Sequence, residues 1–474
     1  MQSQKLCLRY AIKTVSETHK YTCSNVLFRG IISPATVDDL STPPIRKGLR
    51  FGNAQTFKNK RLSEIVRALI VFKLCSYNVV VRNSFKIMNV SKTILGTRLY
   101  NKCMKLTMYG QFVAGETIDE LQQTTKTLQD YGLGPMLCLP IEEDAGHELS
   151  HDEKYAKQLD MIMACIKLAK HVDRKYPMAQ TKLTSLVPGQ ICSKLSILVP
   201  GPNYDPELIA KFVDALGGNQ LHVSGMNEAD NEELNKSLSR LRQLGKCAEE
   251  NEVRLLIDAE YTYLNPALRL ISLAMMLQFN KKKPIVSYTY QNYLKETFTN
   301  LTNDINFVRC NGACFAAKLV RGAYLDQERN LALKHGYEDP VHETFAGTSD
   351  MYHCSLKHIL DKIHQEPDKY YVIIASHNED TAQLAMEELE RRDLANGKGS
   401  VFFGQLYGMS DYLSTFLANA GYLVYKSIPY GPIDETIPYL TRRALENSSI
   451  LSGTTKERKL LWKALVGRIT FRNN

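Results

Sequence analysis

From about residue 115 onward, short runs of apolar and β-branched residues alternate with longer stretches in which apolar positions recur every three or four residues. Continuous apolar runs set between helical periods read as strands buried on both faces, the pattern of a parallel sheet with crossover helices. The runs are Met136–Leu139, Thr181–Leu186, Arg254–Asp258, Ile285–Tyr288, Ala317–Arg321, Tyr371–Ala375, Val401–Phe403 and Tyr422–Tyr425. Ala382 to Arg392 typifies the helical periods between them, and Gly217 to Arg254, rich in Asn, Glu and Leu, predicts a helical excursion between the second and third strands. Eight strands alternating with helices predict an α/β fold, a closed (β/α)8 TIM-like barrel over 111–474. The rival, an open doubly wound sheet binding a dinucleotide, would show a GxGxxG turn after an early strand, and none is present.

Ahead of the barrel, residues 36–110 form a long basic extension, partly helical. Ile65 to Cys75 has apolar helical periodicity on a basic background, which suits either the barrel wall or a membrane surface. The nearest approach to a membrane span, Ile65 to Val81, is broken by Arg67 and Lys73 and falls short of the ~18 apolar residues a span requires.

The composition, 44% apolar and 23% charged over 474 residues, is that of a folded globular chain. The net charge of +9 suggests nucleic acid until it is divided. Residues 1–110 hold 19 Lys/Arg against four acids, while the remainder carries 40 basic and 46 acidic residues. A mildly acidic body without zinc-finger spacing or a basic-aromatic stripe predicts no nucleic-acid partner. The first 35 residues hold Lys5, Arg9, Lys13, Lys20 and Arg29 against Glu17 alone, with several Ser and Thr and no apolar core of the secretory type. That is the pattern of a mitochondrial transit segment; a basic tail with no address is the competing reading. Eleven cysteines without a CxxC pair, most in apolar surroundings, read as reduced packing residues. His147-Glu148-Leu149-Ser150-His151 matches HExxH literally, but it follows a polar Glu142–Gly146 stretch and has no evident third ligand, so no metal site is expected.

Unusual polar residues gather at the carboxyl ends of the strands. Asp258 and Glu260 follow the third run, Arg321 and Tyr324 the fifth, Ser376, His377 and Asn378 the sixth, Gln405 the seventh and Ser427 the eighth. In a barrel these ends meet on one face, where active sites are built, although any one of them could be a helix cap. Gly322 and Ala323, beside Lys318 and Arg321, allow close backbone approach to a flat or phosphorylated ligand. In Pro438–Asn447, read as a helix, Tyr439, Arg442, Arg443 and Glu446 share one face. Adjacent guanidiniums braced by Glu446 suit a carboxylate; a solvated basic patch is the alternative.

Together these blocks resemble the proline dehydrogenase family over about 110–465: Asp258-Ala259-Glu260, Lys318–Tyr324, Ser376-His377-Asn378 and Tyr439–Asn447. The resemblance implies a distorted (β/α)8 flavoenzyme with its eighth helix over the barrel mouth. Such an enzyme oxidises proline to a pyrroline carboxylate, reduces FAD and passes electrons to ubiquinone at the inner mitochondrial membrane, with peripheral membrane association. It also implies that Arg442 and Arg443, oriented by Glu446, grip the substrate carboxylate, and that Lys182, Asp258, Tyr324, Tyr439 and Leu406 line the pocket. Lys318, Val320, Gly322, Ala323, Ser376, His377, Asn378 and Gln405 would contact FAD, with Ala259, Val286 and Tyr288 nearby.

Two departures stand out. Ser427 occupies a position where proline-specific members resembling this chain carry tyrosine, and a serine there resembles the hydroxyproline dehydrogenase branch. A hydroxyl in a roomier pocket suits trans-4-hydroxy-L-proline, since a site that pairs a substrate hydroxyl can discriminate strongly; Tyr425 or Tyr430 refilling the space would undo this. Cys138-Leu139-Pro140 stands where Asp-Tyr would be expected, which leaves the pocket floor open. The alternatives are a strict L-proline dehydrogenase, a flavin-free barrel enzyme acting on a carboxylated metabolite, and a non-catalytic scaffold.

Overall fold

The computed structural model describes residues 54–58, 60–140, 151–173, 175–199, 201, 205–394, 399–446 and 454–470. The first 35 residues, read as a transit segment, and the side chains of His147–His151 lie outside this set. Among the described residues, five α-helices precede the sheet: α1 (Leu62–Cys75), α2 (Asn78–Arg82), α3 (Ser84–Leu106), α4 (Met108–Phe112) and α5 (Ile118–Asp130). The strands are β1 (Leu133–Cys138), β2 (Met178–Thr181), β3 (Arg254–Ile257), β4 (Val286–Gln291), β5 (Phe315–Val320), β6 (Tyr370–Ala375), β7 (Val401–Leu406) and β8 (Val424–Pro429). They form a closed parallel barrel in sequence order, β1 pairing with β8 through six registered positions from Leu133↔Val424 to Cys138↔Pro429. Between β1 and β2 lies α6 (His151–Val172); α7 (Gly189–Leu198) and α8 (Pro206–Gly217) precede α9 (Glu228–Glu250), which occupies the helical excursion expected over Gly217 to Arg254. The remaining crossovers are α10 (Asn265–Phe279), α11 (Thr297–Cys310), α12 (Leu325–His335), α13 (Phe345–Gln365), α14 (Glu379–Arg391) and α15 (Asp411–Asn419). After β8 come α16 (Ile433–Glu446) and α17 (Thr455–Thr470).

Because successive strand residues point to opposite faces, every second side chain enters the barrel. Met136, Met178, Leu256, Ala316, Tyr371, Ile373, Phe402 and Tyr425 fill the lower interior. Their neighbours Leu137, Ala179, Leu255, Val286, Ala317, Val372 and Phe403 face outward into the helix layer. One residue-pair higher, the same alternation brings in Cys138, Gln180, Asp258, Lys318 and Ser427, so the interior changes from apolar to polar toward the carboxyl ends.

The second strand differs from expectation. It is Met178–Thr181, and the predicted Thr181–Leu186 run instead leaves the sheet at Lys182 and closes a 3-10 turn, Leu183–Ser185, pinned by Ser185 Oγ donating to Lys182 O at 2.6 Å. Leu183, Leu186 and Val187 are buried from that turn rather than from a strand. Strands seven and eight extend further than read, so Gln405 and Ser427 lie within them rather than beyond.

The N-terminal helices are packed on the barrel. α1 buries Ile65, Ala68, Val71, Phe72 and Cys75 in the main core, settling the Ile65–Cys75 alternatives for this face in favour of the barrel wall. α3 and α4 hold α16: Met88, Met104 and Met108 meet Ile433, Ile437 and Leu440 around Tyr109, whose hydroxyl donates to Gly431 O at 2.7 Å. No described helix is long and apolar enough to cross a membrane. All described cysteines are free, and no described group of three or more His, Cys, Asp or Glu could hold a metal.

A buried ionic cluster ties the extension to the sheet. Lys426, fully buried on the outer face of β8, reaches Asp411 Oδ1 at 2.8 Å and Met409 O at 2.6 Å, while Lys60 reaches Asp411 Oδ2 at 2.6 Å. The two ammonium groups hold Asp411 below the usual carboxylate range against the opposing effect of burial. Removing one partner of a buried pair strands the other charge. Asp411→Asn should therefore destabilise the fold by about 3–5 kcal/mol. Asp434→Asn at the exposed Lys92–Asp434 pair should cost about 0–1 kcal/mol. Chemical denaturation of the two variants reads the difference.

Candidate active site

The polar upper layer of the barrel is a connected network. Lys318 of β5 forms an ion pair with Asp258, the residue after β3, and donates to Gln180 Oε1 of β2 at 3.3 Å. Gln180 in turn donates from Nε2 to Ser427 Oγ of β8 at 2.6 Å. Four separate strand ends are thus joined across the mouth. Above them a small cavity is lined by Cys138, Gln180, Thr181, Lys182, Ser185, Asp258, Tyr439 and Arg443, with Leu139 and Ile162. The last two polar members come from α16, which follows β8 and lies over the opening. Tyr439 and Arg443, one helical turn apart, present the same face to the cavity, Arg443 Cζ lying 5.6 Å from the Tyr439 ring centroid. Arg442, rotated by one residue, is half-buried and outside the cavity lining. The Glu446 side chain lies outside the described residues.

Cys138, where Asp-Tyr was expected, forms part of the floor, its Sγ 3.8 Å from Tyr439 Oη. Burial, then Asp258, pushes the thiol up to about 11, so it is neutral at ordinary pH. Burial raises Glu260 as well, partly offset by Lys182, and Thr184 Oγ1 donates to it at 2.7 Å.

Gly322 and Arg321 follow β5. Gly322 has φ +138°, and a Cβ there would lie 1.8 Å from Tyr293 Cδ1, so only glycine fits. Arg321 stacks over Phe345 at 4.2 Å and donates from Nη2 to Ser349 Oγ at 2.8 Å. Its Nε and Nη1 are buried with no hydrogen-bond partner among the described residues. Val320, Ala323 and Leu406 also stand at carboxyl strand ends, Leu406 two-fifths exposed. Ala259 is buried just past β3.

His377, after β6, accepts from Leu406 N at 3.4 Å through Nε2, which leaves Nδ1–H to donate to Ser410 Oγ at 2.9 Å. The Ser410 and Asp411 N–H groups are gripped by the Glu457 carboxylate of α17 at 2.8 and 2.9 Å. Burial and the Lys426 ammonium push His377 down from 6.5 to about 3.

Several expected contacts lie elsewhere. Val286 sits at the amino end of β4 and faces the helix layer; Tyr288 faces the same way, its hydroxyl 3.4 Å from Asn265 Oδ1. Neither belongs to the mouth. Gln405 also points outward, donating to Ser376 O at 3.3 Å and accepting from Ser414 Oγ at 3.1 Å. Asn378 caps α14, accepting from Thr381 N at 2.7 Å, and Ser376 Oγ accepts from Asn378 N at 3.1 Å. Tyr324 lies at the expected strand end but packs its ring 4.4 Å from Tyr261, outside the cavity lining. Sequence reasoning missed Gln180 because β2 was set three residues late.

A parallel (β/α)8 barrel with an anionic and cationic network at its carboxyl face and a roofing helix bearing arginine defines an enzyme that works on a small polar ligand. The proline dehydrogenase family model matches residues 121–456, and the chain belongs to that family, whose members are oxidoreductases acting on CH–NH donors. Its relatives include the hydroxyproline dehydrogenase of Xenopus laevis, 43% identical over 89% of this chain and 90% of that protein. The human hydroxyproline dehydrogenase is 38% identical over 90% and 95%, and human proline dehydrogenase 1, mitochondrial, is 32% identical over 90% of each. The same fold is found in the solved structure of proline utilization A from Bdellovibrio bacteriovorus, with TM-score 0.59 and 20% identity, covering 87% of this chain and 39% of that one.

The unfolded chain takes up a proton on His377 between pH 6.5 and about 3, and the folded chain does not. Stability should therefore fall as pH drops through this window, and His377→Asn should flatten the fall, read from denaturation midpoints of both proteins at each pH.

Proposed function

We propose that this chain is an FAD-dependent mitochondrial dehydrogenase of trans-4-hydroxy-L-proline, with L-proline a weaker substrate, which delivers electrons to a membrane quinone. The carrying observation is Ser427, on the inner face of β8 beneath the cavity and bonded at 2.6 Å to Gln180, which lines it. The two side chains that could have refilled its place are turned away. Tyr425 lies in the lower interior, donating to Asp173 Oδ2 at 2.8 Å, and Tyr430 is bonded to Cys165 in the helix layer. A substrate hydroxyl would find Ser427 Oγ and Gln180 as partners, where an aromatic ring would exclude it. The higher identity to relatives named hydroxyproline dehydrogenase supports the same choice.

The residues present fit FAD. Arg321 keeps two buried N–H groups aimed at no protein acceptor among the described residues, which suits a phosphate, and Gly322 leaves its backbone open. Lys318, Val320, Arg321, Gly322, Ala323 and His377 would hold the group, and bound FAD would supply the two-electron acceptor for oxidation of the ring C–N bond. The chain's own work is positional. Arg443, with Arg442 beside it, holds the substrate carboxylate, Tyr439 packs the ring, and α16 excludes water. Asp258 and Lys318 neutralise each other, so the positive bias of the cavity comes from Arg443 and Lys182 in its lining. His377, neutral at ordinary pH, offers no competing positive charge. The transit pattern of the first 35 residues and the mitochondrial relative support the location.

Purified protein should absorb visible blue light and bleach on anaerobic addition of hydroxyproline; colourless protein that FAD cannot reconstitute sinks the proposal. Ser427→Tyr should shift the hydroxyproline-to-proline ratio of kcat/KM toward proline by about 1–3 kcal/mol, roughly ten- to a hundredfold. Arg443→Met should weaken a carboxylate competitive inhibitor by about 1.5–3 kcal/mol in titrations.

A further inference from the structure

Helices α1 and α17 lie side by side and antiparallel. Arg458, at the start of α17, donates to Ser76 Oγ beyond the end of α1, while Arg468, near its end, donates to the carbonyls of Phe57 and Lys60 ahead of α1. Each buries one edge in the barrel core: Ile65, Ala68, Val71 and Phe72 from α1, Leu460 and Leu461 from α17. The opposite edge of each should be polar, and it is not. Leu62, Val66, Ile70 and Leu74 recur every fourth residue along the solvent side of α1, all exposed. Trp462, Val466 and Ile469, spaced by four and then three residues, are likewise exposed on α17, and Trp462, the only tryptophan in the chain, is 59% exposed. A helix apolar on both sides needs a cover on both sides.

The charges identify the cover. Lys73 of α1 and Lys459 and Lys463 of α17 are exposed among these apolar residues, and neither helix carries an exposed acid: Glu64 is bonded to Arg61, and Glu457 is buried. A second copy of this face would set lysines against lysines. The chain's own residues 1–53 are themselves basic, with eight Lys/Arg against three acids. A surface that is apolar beneath and anionic at its boundary complements the stripe in both respects, and tryptophan is favoured at that boundary.

We infer that the α1–α17 face docks on an anionic lipid bilayer, with Trp462 and Ile70 set into the interface. This deepens the functional reading above and rests on it for the purpose of docking, since a quinone acceptor resides in lipid. The test uses the full chain with vesicles of phosphatidylcholine containing phosphatidylglycerol, against phosphatidylcholine alone. Cosedimentation and a blue shift of tryptophan emission, which reports Trp462 alone, are expected with the anionic vesicles and should weaken with salt. Ile70→Glu combined with Val466→Glu should reduce vesicle binding at least tenfold, with denaturation midpoint and turnover on a water-soluble dye acceptor unchanged. An emission that does not move with anionic vesicles overturns the inference, as does equal binding to both vesicle types. Binding that survives the double substitution, or a switch from dimer to monomer caused by it, overturns it too. Failure of dye turnover in the unaltered protein would count against the functional reading and leave the vesicle result standing.

Discussion

A closed parallel sheet admits only every second side chain to its interior, and that two-residue period governs everything at the mouth of this barrel. Below, the admitted positions are Met136, Met178, Leu256, Tyr371 and Phe402; one step above, they are Cys138, Gln180, Asp258, Lys318 and Ser427. A shift of any strand by one residue would exchange polar and apolar faces and bury a charge in the helix layer. The network linking Asp258, Lys318, Gln180 and Ser427 exists because four strands keep register with one another, from Met178↔Arg254 through Leu406↔Ser427.

That period also explains what could be read from sequence. The eight apolar runs gave the strand count and the barrel, because a strand buried on both faces announces itself by composition. The runs did not show phase. Val286, Tyr288 and Gln405 are in or beside correctly found strands, yet all three point into the helix layer. A continuous apolar strand carries no alternation from which inward and outward could be told. The seam at β2 failed for a related reason: Leu183 and Leu186 are as buried as strand residues but reach the core from a single 3-10 turn. Residues fixed by backbone chemistry were more legible. Gly322 is demanded by its φ and by Tyr293, and Asn378 behaves as the helix cap that its place after a strand suggests.

The roof of the cavity depends on the extension that the sequence marks only as basic and partly helical. α16 is set by methionines from α3 and α4, by Tyr109 on Gly431 and by Lys92 on Asp434. Methionine fills irregular gaps and tolerates small displacements, so this seat can hold a helix that has to admit a ligand beneath it. Rigid strands supply Asp258, Lys318 and Ser427; an adjustable seat supplies Tyr439 and Arg443.

The lacing of α17 onto the start of α1 has a further consequence. Arg468 satisfies carbonyls more than 400 residues earlier in the chain, and Glu457 fixes the Ser410–Asp411 turn on which His377 leans and from which Asp411 reaches Lys60. The first described helices are thus secured by the last described one. Loss of α17 would therefore uncap the histidine turn and loosen the seat of α1 together.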